Sequence, residues 1–297
     1  MDYVDINSIS ELHDFFRYDK PLHPLVTVVD LAKVERSHRK PNAVYRLDLY
    51  SIACKKIEGN FQYGRTNYDF SEGTMMFTAP HQALSPGAEN KVEGWGIYIH
   101  PDFFNAATKG HALTEYSFFG YDTSEALHIS EAERLVLEDC VKNIQKELVQ
   151  NIDKHSYNLI LTNLELLLSY CERFYERQFF TRTKASNDVV ANFERLLNDY
   201  FAQETLVQSG IPNVVHFAQK LNISANYLSD LLKKYTGKSS QEYIHLKLID
   251  KAKALLWNTD ESISGIAYDL GFEHPSHFTK LFKNKTGMSP KSYRSLN

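Results

Sequence analysis

The last third of the chain contains the same short pattern twice, fifty residues apart. The run from Lys233 to Tyr243 reads KKYTGKSSQEY, and the run from Lys283 to Tyr293 reads KNKTGMSPKSY. Both copies therefore hold Lys, Thr-Gly, Ser and Tyr at the same spacing. Each copy follows two stretches in which apolar residues recur three and four positions apart, which is the spacing of one helical face. The sequence thus predicts two copies of a helix, a turn and a second helix.

The first helix-turn-helix copy is predicted from Asn213 to Gly237, so it includes the start of the repeated run. Asn213 and Ser224 each precede an apolar run and can accept a hydrogen bond from the first helical turn, so both predict helix starts. Ile223 is predicted to close the angle between the helices. The expected buried faces are Phe217, Ala218 and Leu221 in the first helix and Leu228, Leu231 and Leu232 in the second.

The second copy follows the same rules. Ser262 predicts the first helix start, Gly271-Phe272 predicts the turn, and Pro275 suits the first turn of the second helix. The expected buried residues are Ile266, Ala267, Leu270, Phe278, Leu281 and Phe282.

The segment between the copies, residues 241–257, has apolar residues at helical spacing and neither Gly nor Pro. At 1.5 Å per residue this segment predicts a rod of roughly 25 Å. Such a rod can hold two second helices in successive major-groove segments, about 34 Å apart. A duplicated helix-turn-helix unit of this kind indicates double-stranded DNA as the partner.

The motifs of the repeat closely resemble the AraC/XylS family of bacterial transcription regulators over about residues 190–297. They are FA at 217–218, LS at 228–229, KKYTG at 233–237, IA at 266–267, GF at 271–272, FTKLFK at 278–283 and SPKSYR at 289–294. The resemblance implies an all-α DNA-binding domain, with two helix-turn-helix units joined by a linker helix, in a sequence-specific regulator. Activation is usual for relatives, which adds RNA polymerase as an expected partner. An ordinary helical bundle is the alternative, but it would not repeat both turns and both Thr-Gly exits.

Positive charge is concentrated in the repeat. From Val214 to Asn297 there are 12 Lys and Arg against 7 Asp and Glu, a net charge of +5, whereas the whole chain carries −4. Cations that neutralise phosphates give affinity and position without reading sequence. The predicted phosphate contacts are Lys233, Lys234, Lys238, Lys283, Lys285, Lys291 and Arg294. One or two of them are expected to belong to an ordinary solvated face.

Base reading is predicted at the early exposed positions of each second helix. In the first copy the resemblance points to Asn226, Ser229 and Asp230. An Asn can pair with an adenine edge, and an Asp can accept from a cytosine amino group but repels phosphate. In the second copy the candidates are His274, Ser276, His277, Thr279 and Lys280. The family often has Arg at the last of these positions, and Lys lacks the planar fork that reads guanine, so base preference does not transfer from relatives.

Residues 1–125 are predicted to be strands of a β-barrel or sandwich. The runs Leu25–Val34, Val44–Ile57, Gly73–Thr78 and Trp95–His100 are separated by clusters of Pro, Gly, Asn and Ser. Because it precedes an AraC-type DNA-binding domain, this block resembles the cupin-like sensing domains of the family. Alternation puts Trp95 and Ile97 on one face and Tyr98 and His100 on the other.

A small-molecule effector is predicted inside the barrel. The groups expected to orient it are Tyr63, Arg65, Trp95, Tyr98 and His100, although each also fits an ordinary core or surface role. His81 and His100 stand alone without a His-x-His pair, so neither a metal, a cofactor nor a catalytic residue is assigned. Two alternatives to a transcription regulator remain. One is a cupin metalloenzyme with an accessory DNA-binding domain, and the other is an architectural protein that binds any DNA sequence equally.

Residues 126–180 are predicted to be helical. Ser130 and Glu133 fit a capping box, and a second helix is expected to begin near His155. Neither run is long enough for a convincing coiled coil, so packing on the barrel is the default, while the family resemblance makes this region a candidate for homodimerisation. Residues 181–189 begin with a polar stretch and are predicted to link this region to the DNA-binding domain, residues 190–297. The whole is thus a multidomain protein of mixed α and β structure.

The cellular setting is predicted from what the chain does not contain. The sequence has no charged-then-apolar opening segment and no apolar run of about 18 residues, which predicts a cytoplasmic protein without a membrane span. Cys54, Cys140 and Cys171 are odd in number and lack a Cys-x-x-Cys pattern. They are expected to be reduced thiols, not a disulfide or zinc site.

Overall fold

A computed structural model describes residues 3–34, 43–56, 73–84, 92–105, 113–151, 153, 155–202 and 206–296. The chain divides into two compact units, Met1–Thr183 and Lys184–Asn297. Strands lie in the first unit, and the described part of the second is helical. The mixed α and β class predicted from the sequence is therefore confirmed, while the cupin-like barrel stays a prediction.

The first unit contains two sheets. Its strands are β1 (Tyr3–Ile6), β2 (Val26–Asp30), β3 (Val44–Leu47), β4 (Tyr50–Lys56), β5 (Gly73–Thr78), β6 (Ala83–Leu84), β7 (Glu93–Ile99) and β8 (Leu127–Ile129). Five of them form an antiparallel sheet in the order β2-β7-β4-β5-β8, and the other three pair as β1-β3-β6, with β1 parallel to β3. The predicted strand runs are present with changed bounds: Gly73–Thr78 is reproduced, Val44–Ile57 is divided into β3 and β4, Trp95–His100 corresponds to β7, and Leu25–Val34 is shortened to β2. Strand β2 ends at Asp30, whose side chain accepts from the Ala32 backbone N–H and starts a 3-10 turn.

Residues 1–125 also include helix, which the all-strand prediction missed. Its first helix is α1 (Ile9–Phe16), and a single turn, α2, spans Asp102–Asn105. Ser8 caps α1 by accepting from the Glu11 N–H, while Glu11 accepts from Asn7. Since Ile9, Leu12 and Phe16 follow helical spacing, they bury one face among Ile6, Val29, Leu31 and Tyr98. Short 3-10 segments lie at Leu31–Lys33, Leu113–Glu115, Ser117–Gly120 and Thr123–Glu125.

Two longer helices complete the first unit. They are α3 (Glu131–Leu148) and α4 (Ser156–Thr181), which contact each other. The predicted capping box is confirmed, because Ser130 Oγ accepts from the Glu133 N–H and the Glu133 carboxylate accepts from the Ser130 N–H. The predicted start near His155 is also confirmed.

Side chains of α4 complete the hydrogen bonding beside strand β8, which is an edge strand of the larger sheet. Buried Gln178 accepts from the His128 N–H at 2.8 Å and donates to the Ala126 carbonyl at 3.1 Å. Arg177 donates to the His128 carbonyl at 2.6 Å and pairs with Glu133. These contacts leave fewer unpaired backbone groups at a sheet edge, where such groups are a liability.

The second unit contains eight helices in its described part. They are α5 (Thr183–Ala202), α6 (Leu206–Ser209), α7 (Val214–Leu221), α8 (Ala225–Thr236), α9 (Ser240–Asn258), α10 (Ile263–Asp269), α11 (Pro275–Thr286) and α12 (Pro290–Arg294). The predicted linker, residues 181–189, is mostly helical, spanning the end of α4 and the first turns of α5. Helix α5 begins within the polar stretch, so that stretch is helical. Further along α5, Phe193, Leu197 and Phe201 lie in the core of this unit.

Within the described ranges, none of the helices combines the length and apolar character needed to cross a membrane.

The three cysteines are free and buried, on β4, α3 and α4 respectively. Burial raises the pKa of the Cys54 thiol to about 12, and it also raises the pKa of Cys140 and Cys171. The thiolate is the reactive form of cysteine, so all three groups should be inert near neutral pH.

We expect iodoacetamide at pH 8 to leave the native protein unmodified over a time in which the denaturant-unfolded chain takes up three labels. Raising the pH to 9 should change this little, because the neutral thiol still dominates. Mass spectrometry counts the labels. A native cysteine that reacts at the rate of the unfolded chain would contradict the assignment.

Candidate nucleic-acid interface

The two helix pairs, α7–α8 and α10–α11, turn in the same way. Asn222 and Gly271 both adopt the left-handed conformation, with φ of 55° and 81°. After each of them, a backbone N–H donates five residues back, from Ile223 to Ala218 at 3.1 Å and from Phe272 to Ala267 at 3.0 Å. This is the Schellman pattern that ends a helix. The repeated turn predicted from the sequence is confirmed.

The second turn requires glycine for two reasons. A Cβ on Gly271 would lie 2.9 Å from the Leu206 carbonyl oxygen and 3.1 Å from the carbonyl carbon of Gly210, in addition to the strain of a positive φ. At the first turn, Asn222 meets only the requirement for a positive φ. Asn adopts a positive φ more readily than most residues. The backbone at 206–210 therefore packs closely on the second turn.

The second helices of the two pairs, α8 and α11, begin differently. Ser224 caps α8 by accepting from the Tyr227 N–H at 3.1 Å. In α11, Pro275 occupies the start of the helix and His274 stands at the cap without a side-chain cap bond.

Helices α8 and α11 end in the same way. Gly237 and Gly287 are left-handed, and Thr236 and Thr286 donate to the carbonyls four residues back. Ser239 and Ser289 then cap the following helices. The shared Thr-Gly-x-Ser letters thus perform the same local function in both copies.

Helix α9 connects the two copies and confirms the helix predicted over 241–257. Its residues Ile244, Leu248, Ile249, Ala252 and Leu256 are buried. They share one core with Phe217, Leu228 and Leu232 of the first pair and Ile266, Phe278 and Phe282 of the second. Both α8 and α11 contact α9, so a single core fixes the positions of both helices.

The predicted reading face of α8 is narrow. Asn226 is exposed, whereas Ser229 and Asp230 are half-buried. The hydroxyls of Ser229 and Ser240 are 3.0 Å apart and share a hydrogen bond, and Ser240 is itself buried at the start of α9. Ser240 is not among the functional residues that the sequence predicts. The sequence difference that could have drawn attention to it is that the first copy has Ser240 at the position where the second copy has Pro290. Ser229 is therefore tied to the linker helix.

The predicted reading face of α11 is wider. His274, Ser276, His277 and Lys280 are all exposed, and the two imidazole rings lie 5.4 Å apart and nearly perpendicular. Thr279 differs from them, because it is half-buried and its hydroxyl donates to the Pro275 carbonyl at 3.0 Å.

The six lysines predicted to contact phosphate are exposed. Lys238 and Lys285 lie near Glu242, whose pKa is lowered first by hydrogen bonds from Ser239 and then by these two cations. Arg294 is placed differently from the lysines. It is half-buried, its Nε donates to the Leu256 carbonyl at 3.3 Å, and its buried Nη2 has no hydrogen-bond partner among the described residues.

Of the predicted effector groups, the structure describes Trp95, Tyr98 and His100. Tyr63 and Arg65 lie outside the described residues. Trp95 and Tyr98 point to opposite faces of β7, and Tyr98 packs near Phe16 with ring centroids 6.0 Å apart. His100 follows the strand and accepts from the Asp102 N–H at 3.2 Å. Strand alternation therefore separates Trp95 from Tyr98, and the effector site stays a prediction.

No group of three His, Cys, Asp or Glu suited to hold a metal ion occurs in the part of the first or second unit that the structure describes.

Comparison with known proteins agrees with this interface. Residues 217–295 match the family described as "Helix-turn-helix domain". The HTH-type transcriptional activator RhaS of Citrobacter koseri is 31% identical over 135 residues, covering 45% of this chain and 46% of the relative. RhaS of Enterobacter sp. (strain 638) is 25% identical over 229 residues, covering 76% and 78%. The first alignment spans about half the length of the relative.

A solved structure is also similar in part. The C-terminal domain of the two-component response regulator yesN from Fusobacterium nucleatum is 32% identical, with a TM-score of 0.30, over 34% of this chain and 96% of that one.

The duplicated turns, the shared core and the sequence matches define a C-terminal helix-turn-helix domain that is similar to those of transcription regulators. In this C-terminal domain the chain resembles the AraC/XylS family.

The glycines of the repeat provide a stability test. Changing Gly287 to Ala should cost roughly 1–2 kcal/mol, because only left-handed strain is added in open space. Changing Gly271 to Ala should cost about 1 kcal/mol or more beyond that, because the new Cβ also meets the backbone of residues 206–210. Urea unfolding of a fragment covering Lys184–Asn297 measures both losses. Equal losses would contradict the close contact at Gly271.

Proposed function

We propose that this chain is a sequence-specific transcriptional activator that reads two adjacent major-groove segments with α8 and α11. The observation that carries the proposal is the pair of matching helix-turn-helix units on one core. A rigid core fixes the spacing between two reading helices, and fixed spacing on one DNA face is how paired units select an operator. The RhaS relatives are named as activators, which supports the same sign of regulation here.

Base reading is assigned to early positions of the two helices. These are the exposed residues Asn226 on α8 and His274, Ser276, His277 and Lys280 on α11, together with the half-buried Asp230 on α8. Ser229 and Thr279 are assigned a supporting part, since each is half-buried with its hydroxyl hydrogen-bonded inside the domain.

Phosphate contacts are assigned to the exposed lysines of the repeat. Lys233, Lys283 and Lys291 are the strongest candidates, and Lys234 is a further one. Lys238 and Lys285 are weaker because Glu242 partly compensates their charge. Arg294 is assigned to holding the end of the domain against α9 instead, since its Nε is already bonded to the Leu256 carbonyl.

The first unit is assigned a sensing role. Its strands form a cupin-like block that takes a small effector, and α3 and α4 supply a surface for a homodimer. A bound effector changes the affinity for DNA, and activation requires contact with RNA polymerase. These assignments are supported by the separate compact unit that precedes the DNA-binding unit and by the match of the latter to a helix-turn-helix family.

Salt titration separates the two kinds of DNA contact. The probe is a duplex enriched from random DNA by the full-length protein, together with the same duplex carrying single base changes. Lys283→Ala should weaken binding to all duplexes and lower the slope of log affinity against log salt by about one unit. Asn226→Ala should relax the preference at one base pair, at a cost of roughly 1–3 kcal/mol.

Lys142→Ala is the matched control, since it removes one exposed Lys from α3 in the first unit. Its salt slope should equal that of the unchanged protein. An unaltered slope for Lys283→Ala, or failure of the selection to enrich any sequence, would refute the assigned roles.

Linkage tests the sensing role. A compound found by thermal-shift screening must change DNA affinity by the same factor by which operator DNA changes the affinity for the compound. Both titrations are made with the full-length protein and with a Trp95→Ala, His100→Ala double variant, which should bind the compound more weakly. A compound that binds without coupling to DNA would refute the sensor. Turnover of the compound would favour the metalloenzyme alternative.

A further inference from the structure

We propose that the hydrogen bond between Ser229 and Ser240 restricts the spacing at which the protein reads DNA. Ser240 is then a positioning residue, which acts on DNA through the orientation of α8 and not by contact with it. The inference rests on the proposed function, because it requires that α8 and α11 lie in two groove segments of one duplex.

The bond joins α8 to the helix that connects the two copies. Ser229 lies in the middle of α8, Ser240 is the first residue of α9, and their hydroxyl oxygens are 3.0 Å apart. Ser240 has only 3% of its surface accessible, so water has little access to its hydroxyl. A buried polar group that loses its partner carries the full cost of its desolvation. An orientation of α8 that moves Ser229 away is therefore unfavourable.

Apolar contact holds α8 on the core but does not by itself fix its rotation. Leu228 of α8 lies in the core that includes Ile244 and Leu248 of α9. Apolar burial is non-directional, so a small rotation of α8 about its own axis leaves most of that burial in place. A hydrogen bond requires a narrow range of distance and angle. The bond between Ser229 and Ser240 thus penalises rotations that the apolar contacts tolerate.

The second copy has no counterpart of this bond at the equivalent positions. Thr279 and Pro290 stand where the first copy has Ser229 and Ser240, counted from the shared Thr-Gly. The Thr279 hydroxyl donates to the Pro275 carbonyl of its own helix at 3.0 Å, and proline has no hydroxyl. The contact with the following helix is therefore a feature of the first copy.

The turns that follow α8 and α11 do not make this difference. Thr236 and Thr286 each accept from the backbone N–H two residues later. Gly237 and Gly287 are both left-handed and both lie in open space. The turns thus restrain the two copies alike, and the serine pair adds a directional contact on the side of α8.

A change of spacing along DNA requires a change in the relative orientation of α8 and α11. One base pair inserted between two groove segments shifts one of them by about 3.4 Å and turns it by roughly 35° relative to the other. A protein whose helices adjust freely can follow that change, whereas a protein with a fixed α8 cannot. The bond therefore discriminates between operators that offer the same base contacts at different spacings.

The test uses the full-length protein, the duplex that it enriches from random DNA, and two duplexes with one base pair more or less between the two protected segments. Ser240→Ala removes the buried hydroxyl. The ratio of affinity for the enriched spacing to affinity for the altered spacings should fall about fivefold, the effect of one hydrogen bond between neutral groups.

Ser240→Pro is the second variant. Pro290 occupies the equivalent first position of α12, so this position of the repeated unit accepts proline. Ser229→Ala breaks the same bond from the other side. Combined with Ser240→Ala, it should lower the ratio no further, because the two changes remove one interaction.

Ser295→Ala is the matched control. It removes an exposed hydroxyl of the same unit, which donates to the Ser292 carbonyl at 2.8 Å just after α12. The ratio should equal that of the unchanged protein. Circular dichroism verifies the fold of each variant.

The outcomes separate the two proposals. If the selection enriches no sequence, or if the protein protects a single groove segment, the proposed function fails and this inference fails with it. If an operator is enriched but the changes at Ser240 leave the ratio unaltered, this inference alone is overturned. An equal loss of affinity at every spacing would also overturn it, since such a loss reports stability and not orientation.

Discussion

The DNA-binding unit depends on the burial of one face of α9. That face contacts both helix pairs, so Leu248 and Ala252 lie in the same core as Phe217 of the first pair and Phe282 of the second. Apolar burial on this scale is the main stabilising term in a small domain. Because the core is shared, neither pair has a separate hydrophobic interior, and the distance between the reading helices is fixed by the same contacts that stabilise the fold.

Local chemistry makes the two pairs alike, while their surfaces make them different. Left-handed turns and Thr-Gly exits recur because they satisfy backbone groups that helix ends leave free. These positions tolerate little change. Surface positions such as 230 and 280 carry no such requirement, so one scaffold can present an acid in one copy and a cation in the other.

The first unit illustrates a different constraint, which is that a strand presents alternate residues to opposite faces. Trp95 and Tyr98 are three residues apart and therefore separated by the sheet, so an effector site cannot use both from one side. The same sheet has an edge at β8, which Arg177 and Gln178 of α4 cover with hydrogen bonds. Helix α4 is thus part of the same folded unit as the sheet. An effector proposed to bind this unit therefore acts on the sheet and the helix together.

The sequence alone determined the local features of this protein. Caps at Asn213, Ser224 and Ser262, the turn at Gly271 and the apolar stripes depend on neighbours within about five residues, and all of them could be predicted. Tertiary structure decided the contacts between residues far apart in the chain. It placed Ser229 against Ser240, turned Arg294 towards Leu256 and extended α5 through the polar linker. Such pairings depend on how separate helices pack, and the spacing of residues in a sequence does not specify that packing.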